Sequence, residues 1–418
     1  MSTRAFTGLV LCALTALVGA AILDAPGEDS FPIAAPVETS TAPAPAQADE
    51  ILPAAPSDAP TPLCPNETWG TWAWGSNDVF QLGDGTSTPR YLPNPVSLLC
   101  TGVIAVASRG KCSVALKDDG SVWAWGDNQS GQIGDGTTVY RSEPVRTLVV
   151  SQIIAVAAGG HHNLALRSDG TVWAWGFNTF GQLGDGTTVS RSTPVQVRRL
   201  TGIVAIGAGW HHSLALDVDG RVWAWGLNRD GQLGDGSTTD SPLPVQAVDL
   251  NEVVAISGGE FHSMAVRSDG SVRTWGDNYW GQIGDGTRTD RWTPVQPVGL
   301  SSGFVAVHGS DHSMALRGDA TVWGWGFNHY GQIGDGTTVT MRLTPVQTVN
   351  LTSVIKIIAG AFHSLALHDD GAISSWGWNL NGALGTGDTY DRIVPGPVVG
   401  LGGVRDIAAG DGYSLATK

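Results

Sequence analysis

Five histidines recur at almost constant spacing: His162, His212, His262, His312 and His363. Imidazoles in series suggest a metal site, since neutral imidazole is a common ligand. A repeat array argues against one. Equivalent positions in a closed array are spread by rotation around a wide circle, whereas ligands must converge to about 2 Å from one ion. A buried imidazole bonded to the neighbouring unit is expected instead, because buried polar groups take partners. Cys112 and Tyr413 fill the two remaining places of the series. Ser213, Ser263, Ser313 and Ser364 each follow a histidine. Adjacent strand residues point to opposite faces, so these are poor nucleophile–base pairs. Asp84, Asp135, Asp185, Asp235, Asp285 and Asp335 sit in Gly-Asp-Gly triplets. They lack the alternating acids of a calcium loop and the Lys of a phosphate loop. Loop-closing turns, with Asp accepting backbone N–H bonds, are expected. There is no Cys-x-x-Cys pair to suggest structural zinc. No catalytic residue, metal or cofactor is expected.

The elements that carry these residues follow from a repeat. Trp-Gly recurs at Trp74, Trp125, Trp175, Trp225, Trp275, Trp325 and Trp376, with spacings of 50 or 51 residues. Such a period marks a repeat array or propeller. One unit displays the pattern. Ile153 to Ala157 reads as a buried strand, and His162 to Arg167 as a second. Ser168-Asp169-Gly170 is a tight hairpin turn. Thr171 to Trp175 is a third strand, with Val172 and Ala174 on one face and Trp173 and Trp175 on the other. A long loop follows from Gly176 to Thr188. Pro194 to Val197 makes a short edge strand, where proline costs no ladder donor. Four antiparallel strands in each of seven units predict an all-β, seven-bladed β-propeller. Its paired tryptophans are expected in the inter-blade core. An open solenoid is the alternative. The chain ends favour closure. The first unit begins at its third strand, Thr71-Trp72-Ala73-Trp74, and the C-terminus supplies two strands, Val404 to Ala408 and Tyr413 to Ala416. Pairing them completes one blade and removes two exposed sheet edges.

Composition agrees. The 418 residues include 57 Gly and 17 Trp, with 42% hydrophobic and 15% charged residues. That is too apolar for a disordered chain. The net charge of −15 argues against nucleic-acid binding, which needs clustered Lys and Arg.

The string from Gly160 to Gly186, Gly-His-His-Asn-Leu-Ala-Leu through Trp-Gly-x-Asn-x-x-Gly-Gln-Leu-Gly-Asp-Gly, resembles the regulator-of-chromosome-condensation repeat. It recurs over residues 69–418. The resemblance implies a seven-bladed propeller whose members act chiefly by binding other macromolecules. Secreted bacterial propellers of this type inhibit β-lactamases, which makes an extracellular or envelope enzyme one expected partner. The nuclear namesake implies an alternative, guanine-nucleotide exchange on a small GTPase. A plant ultraviolet photoreceptor of the family uses clustered tryptophans. Here only Trp210 stands just before the His-His-Ser stretch, so light sensing is not expected.

The N-terminus predicts export. Arg4 precedes an apolar run from Gly8 to Leu23, too short for a span of about 20 residues, with small residues around Ala20. Residues 1–20 read as a cleaved signal peptide. An uncleaved anchor is the alternative, and membrane association is expected only in that case. Residues 21–63 form an acidic Ala/Pro-rich linker without Lys or Arg, an extended and poorly ordered composition. Residues 64–418 form the propeller. Cys64, Cys100 and Cys112 allow one disulfide and one leftover thiol in an oxidising compartment; spacing does not choose the pair.

Strand direction puts the first turn and the long loop of every unit at one end, termed the top. Their variable positions are rich in aromatic residues. Trp210, Phe261 and Phe362 come from first turns; Tyr279, Trp280, His329, Tyr330 and Trp378 come from long loops. These eight are the expected partner-binding residues, since aromatic groups concentrate at binding hot spots. Tyr279, Trp280, Tyr330 and Trp210 are expected to be exposed. Lys111, Glu260 and Asp311 are further variable turn residues. The expected function is a monomeric, secreted or envelope, non-catalytic propeller that binds a protein.

Overall fold

The structure, a computed structural model, describes residues 70–148 and 151–418. The expected signal peptide (1–20) and linker (21–63) lie outside the described residues. The rest forms seven four-stranded antiparallel sheets, with no helix among the described residues. Short β-branched and aromatic runs closed by Gly turns favour strands, and no segment of useful length carries helical periodicity. Blade 2 is typical: Ile153–Ala158, His162–Arg167, Val172–Gly176 and Arg191–Gln196, from the axis outward. The fourth strand starts three residues earlier than its proline suggests. A register shift between Arg191 and Val195 accommodates the bend.

Closure occurs as expected. Blade 7 contains Asp406–Ala409 and Tyr413–Thr417 from the C-terminus, then Thr71–Gly75 and Arg90–Pro95. Thr71 pairs with Thr417, and Gly75 with Tyr413.

The core lies between blades, not within them. In blade 2, Val172 and Ala174 join a cluster with Ile203 and Trp225 of blade 3. Trp175 faces the other way, into a cluster with Val114 and Val122 of blade 1. Period-two alternation thus serves two cores at once. The last Trp of every third strand is buried: Trp74, Trp125, Trp175, Trp225, Trp275, Trp325 and Trp376 are each 0% exposed. In five blades another Trp stands two residues earlier: Trp72, Trp123, Trp173, Trp223 and Trp323 are half-buried. Trp72, Trp123, Trp223 and Trp323 still pack against the inter-blade clusters, as expected, and Trp72 lies beneath Lys418, 5.0 Å from the ring centre.

A repeated polar bridge crosses the interfaces. His162 Nε2 lies 2.8 Å from Ser213 Oγ in the next blade. The same contact recurs as His212–Ser263, His262–Ser313, His312–Ser364 and His363–Ser414. Ser213 donates its own proton to the Gln182 carbonyl of blade 2 at 2.8 Å, and Trp225 Nε1 donates to the same oxygen at 2.8 Å. Since the hydroxyl proton is committed to the carbonyl, the imidazole must be the Nε2–H tautomer. Burial lowers the His162 pKa to about 3, so the ring is neutral. Two interfaces depart from the pattern. The Tyr413 hydroxyl reaches Ser113 at 2.9 Å. At the other, Cys112 meets Asn163, whose amide donates to the Gln132 carbonyl at 2.7 Å.

Cys100 is disulfide-bonded, while Cys112 is free and buried. This removes both pairings that used Cys112; the partner of Cys100 lies outside the described residues. Burial raises the Cys112 pKa to about 12, so it stays a thiol.

Replacing Ser263 with Ala strips His212 of its acceptor and the Gln232 carbonyl of a donor. Each buried orphan costs roughly 1–3 kcal/mol. Denaturant unfolding of Ser263→Ala is expected to show a clearly lower midpoint; an unchanged midpoint would mean that the bridge contributes nothing.

Candidate functional site: the top face

The top face is assembled from two elements per blade, tied by backbone bonds. Phe177 N donates to His161 O at 2.8 Å, Asp277 N to Phe261 O at 3.0 Å and Trp378 N to Phe362 O at 2.8 Å. First turn and long loop therefore share one rim. Each long loop is stiff. Asn278 Oδ1 accepts from Ile283 N at 3.0 Å, while its Nδ2 donates to the carbonyls of Thr287 and Thr289. Asp285 accepts from Thr287 N at 2.9 Å and pairs with Arg291. The Gly-Asp-Gly triplets are thus turns, as expected. Two residues at the tip of each loop are left to face outward.

The tips and turns of blades 4 to 6 place their rings in one contiguous tract. Tyr279 and Trp280 meet at 4.8 Å between centroids, Trp280 and Phe327 at 4.7 Å, and Phe327 and Phe362 at 6.1 Å. Tyr330 joins Phe362 at 5.4 Å, His329 joins Tyr330 at 5.0 Å, and Trp378 joins Phe362 at 6.3 Å. Tyr279 is exposed as expected, and so is His329; Trp280 and Tyr330, also expected to be exposed, are half-buried among neighbouring rings, as are Phe261, Phe362 and Trp378. A second group gathers Phe177, Phe180, His161 and His211. Burial and the neighbouring His161 lower the His211 pKa to about 4.

Trp210 corrects the expectation of exposure. It is only 9% exposed and packs on Ala361, from three blades further round. Its ring fits because residue 160 is glycine. A Cβ at Gly160 would lie 2.5 Å from Trp210 Cδ2. The residue belongs to the covering of the axis, not to the free rim.

Beneath it lies Arg109, the most consequential residue that the sequence reading passed over. Its guanidinium donates to Gly259 O at 2.8 Å, Gly309 O at 3.1 Å, and the carbonyls of Ala208 and Gly258 at 3.3 Å. One side chain from blade 1 thus joins blades 3, 4 and 5 across the axis. Burial lowers its pKa to about 9 against the opposing pull of Glu260 and Asp311, so it remains charged at neutral pH. Arg109 stands where other units have Gly159, Gly209, Gly259, Gly360 and Gly410. A Cβ at Gly209 would lie 2.0 Å from the His212 ring, and one at Gly410 would lie 2.0 Å from the Tyr413 ring. Cys112 replaces the histidine in blade 1, and its small side chain makes room for an arginine. That double departure from the repeat was the available signal.

Acids surround this charge. Glu260 and Asp311 are hydrogen-bonded to each other, and burial raises the pKa of both. Asp311 reaches the axis because its first turn is one residue shorter than that of blade 4. Burial raises the Asp277 pKa to about 6 and the Asp411 pKa to about 7. The Asp411 value reflects burial first, opposed by Lys111 and His161 and reinforced by Asp78. Asp277, Asp311 and Asp411 are half-buried, and Glu260 is buried. No group of three or more metal-ligating side chains occurs among the described residues.

Two outcomes follow. Cys112→His alone is expected to destabilise the fold, since its ring would press on the Arg109 stem; adding Arg109→Gly and Asn163→Ser should recover much of the loss in melting temperature. No recovery would separate the two departures. Asp411 protonates more readily folded than unfolded, so its contribution falls as pH rises from its usual value near 3.8 through about 7. Asp411→Asn should therefore raise the melting temperature at pH 8 and barely change it at pH 4; an equal gain at both would exclude the linkage.

Comparison with known proteins fits this architecture. A family profile described as an RCC1-like domain matches residues 66–353, and regulator of chromosome condensation (RCC1) repeats match 354–383 and 370–417. The E3 ubiquitin-protein ligase HERC2 of Homo sapiens is 39% identical over 74 residues, 18% of this chain and 2% of that protein. The ultraviolet-B receptor UVR8 of Arabidopsis thaliana is 36% identical over 74 residues, 17% of each. The chain thus spans only a small part of these curated relatives. Among solved structures, human WBSCR16 superposes with a TM-score of 0.75 at 23% identity, covering 84% of this chain and 99% of that one. Prp20p of Saccharomyces cerevisiae gives 0.71 at 23% identity, covering 84% and 91%. At that identity the likeness is one of fold. With the profile match running through more than half of its length and seven sheets closed in a ring, this chain belongs to the RCC1-like domain family.

Proposed function

We propose that this chain is an exported, non-catalytic propeller that binds a protein partner through the aromatic rim of its top face. The observation that carries the reading is the tract from Tyr279 to Trp378, linked ring to ring across three blades. Large rings on stiff loops lose little entropy on association. The second ring group, around Phe177, Phe180, His161 and His211, spans only blades 2 and 3, and the acids of the Gly-Asp-Gly turns are held by backbone bonds and Arg pairs. Export rests on the signal-like residues 1–20 and on the disulfide-bonded Cys100, since disulfides persist in oxidising compartments. An envelope or extracellular enzyme suits that location.

The test uses the full chain and a Tyr279→Ala, Trp280→Ala, Tyr330→Ala variant as baits for the extracytoplasmic proteins of the producing cell. Trp210 is left intact because it belongs to the covering of the axis. Each hot-spot ring is worth roughly 2 kcal/mol, so the variant should lose its partner while keeping its melting temperature. Equal capture by both baits would remove the top-face reading.

A further inference from the structure

Charge is distributed unevenly over this molecule. Most acids of the Gly-Asp-Gly turns have arginine partners: Asp84 with Arg90, Asp135 with Arg141, Asp285 with Arg291 and Asp335 with Arg342; Asp235 is held by Asn228 and Ser237 instead. So do several at the bottom hairpins, including Asp169 with Arg167 and Asp219 with Arg221. The acids of the top mouth differ. Asp311, with Glu260, offsets the Arg109 charge, whereas Asp230, Asp277 and Asp411 form no ion pair with Lys or Arg among the described residues. They act on one another instead. Asp277 feels Asp230, Asp290 and Asp311, and Glu260 feels Asp311 and Asp411. Cations near the rim are already engaged: Lys111 with Asp78 at 2.5 Å, Arg229 over Phe180 at 5.5 Å, and Arg288 over Tyr279 at 4.7 Å. Arg109 is committed to backbone carbonyls beneath.

Unpaired carboxyls thus border the tract of aromatic rings, and they share its loops. Asp277 immediately precedes Asn278 and Tyr279, and accepts from Tyr279 N at 3.0 Å. Aromatic faces attract cations through the ring quadrupole, and complementary charge selects partners while like charge rejects them. An acidic or neutral partner would bury these carboxyls uncompensated.

We propose that the top mouth receives a cationic segment of the protein partner, with lysine or arginine side chains set against the Trp280 ring and reaching the carboxyls of Asp230, Asp277 and Asp411. The inference rests on the top-face reading above and specifies the chemistry of its partner. Insertion supplies the charge that the mouth lacks, and the ring holds the aliphatic stems.

The probe is a glycine-flanked hexa-arginine peptide, titrated calorimetrically into the full chain at physiological salt beside its citrulline counterpart, which keeps the shape without the charge. The arginine peptide should bind at least roughly tenfold tighter, about 1.4 kcal/mol. Asp230→Asn, Asp277→Asn and Asp411→Asn together should cost a similar factor. A control variant, Asp118→Asn, Asp249→Asn and Asp369→Asn, removes three exposed acids at the bottom and should leave binding unchanged. Equal binding of both peptides, or equal loss in both variants, would overturn the proposal as mere diffuse attraction. The natural partner separates the two readings. Capture lost by the ring variant but retained by the top-face asparagine variant would preserve the binding face and reject its cationic occupant.

Discussion

One hydrogen-bonded junction underlies the ring. A serine hydroxyl in each regular blade accepts from the histidine of the blade before it and donates to a glutamine carbonyl of that same blade. Both partners are buried, so neither can turn to water when a contact is lost. The junction sets the spacing between sheets, and that spacing lets the following tryptophan fill the gap and bond the same carbonyl. No single sheet could do this alone, because a four-stranded blade offers apolar side chains on both faces and must be covered on both. Seven blades and a closed circle are a shared solution to that requirement. Closure itself depends on strands more than 300 residues apart in the chain, Thr71–Gly75 and Tyr413–Thr417. Such distant pairing slows folding, and the ring is secure only once its last blade is complete.

Where the repeat is broken, the molecule acquires individuality. Cys112 and Asn163 replace one histidine–serine junction with a thiol–amide contact. The space released lets Arg109 cross the axis and fasten three blades that are not its neighbours. A buried guanidinium calls for compensation, which carbonyl oxygens and the Glu260–Asp311 pair provide. Trp210 then covers the axis from above and abuts Ala361. These departures come from blades 1 to 6, yet they meet near one place because the first turns of all blades converge on the axis.

The outer ring of the same face is built differently. Long loops with identical Asn and Asp turns present differing pairs of tip residues, so the scaffold is uniform and the contact surface is not. Rigid scaffold and variable tips are the usual division of labour in binding proteins. Large rings in that setting retain little freedom to lose, and the carboxyls among them remain without cationic partners.

Much of this was legible in the sequence. The Trp-Gly period, the strand alternation and the complementary chain ends determined the propeller and its closure, because each blade is a local pattern and the pattern repeats. The buried roles of the histidines and of the Gly-Asp-Gly turns followed from the same local rules, as did the common end for first turns and long loops. What the tertiary structure alone decided is how side chains from different blades meet. Period-two alternation cannot distinguish Trp175, sealed between blades, from Trp173, half-buried at the rim. Nor does a turn residue such as Trp210 reveal whether it points outward or across the axis. Arg109 and Asp311 become neighbours only because seven turns, up to 300 residues apart, converge on one line. Burial and charge at that line depend on distances through space, and sequence separation carries no information about them.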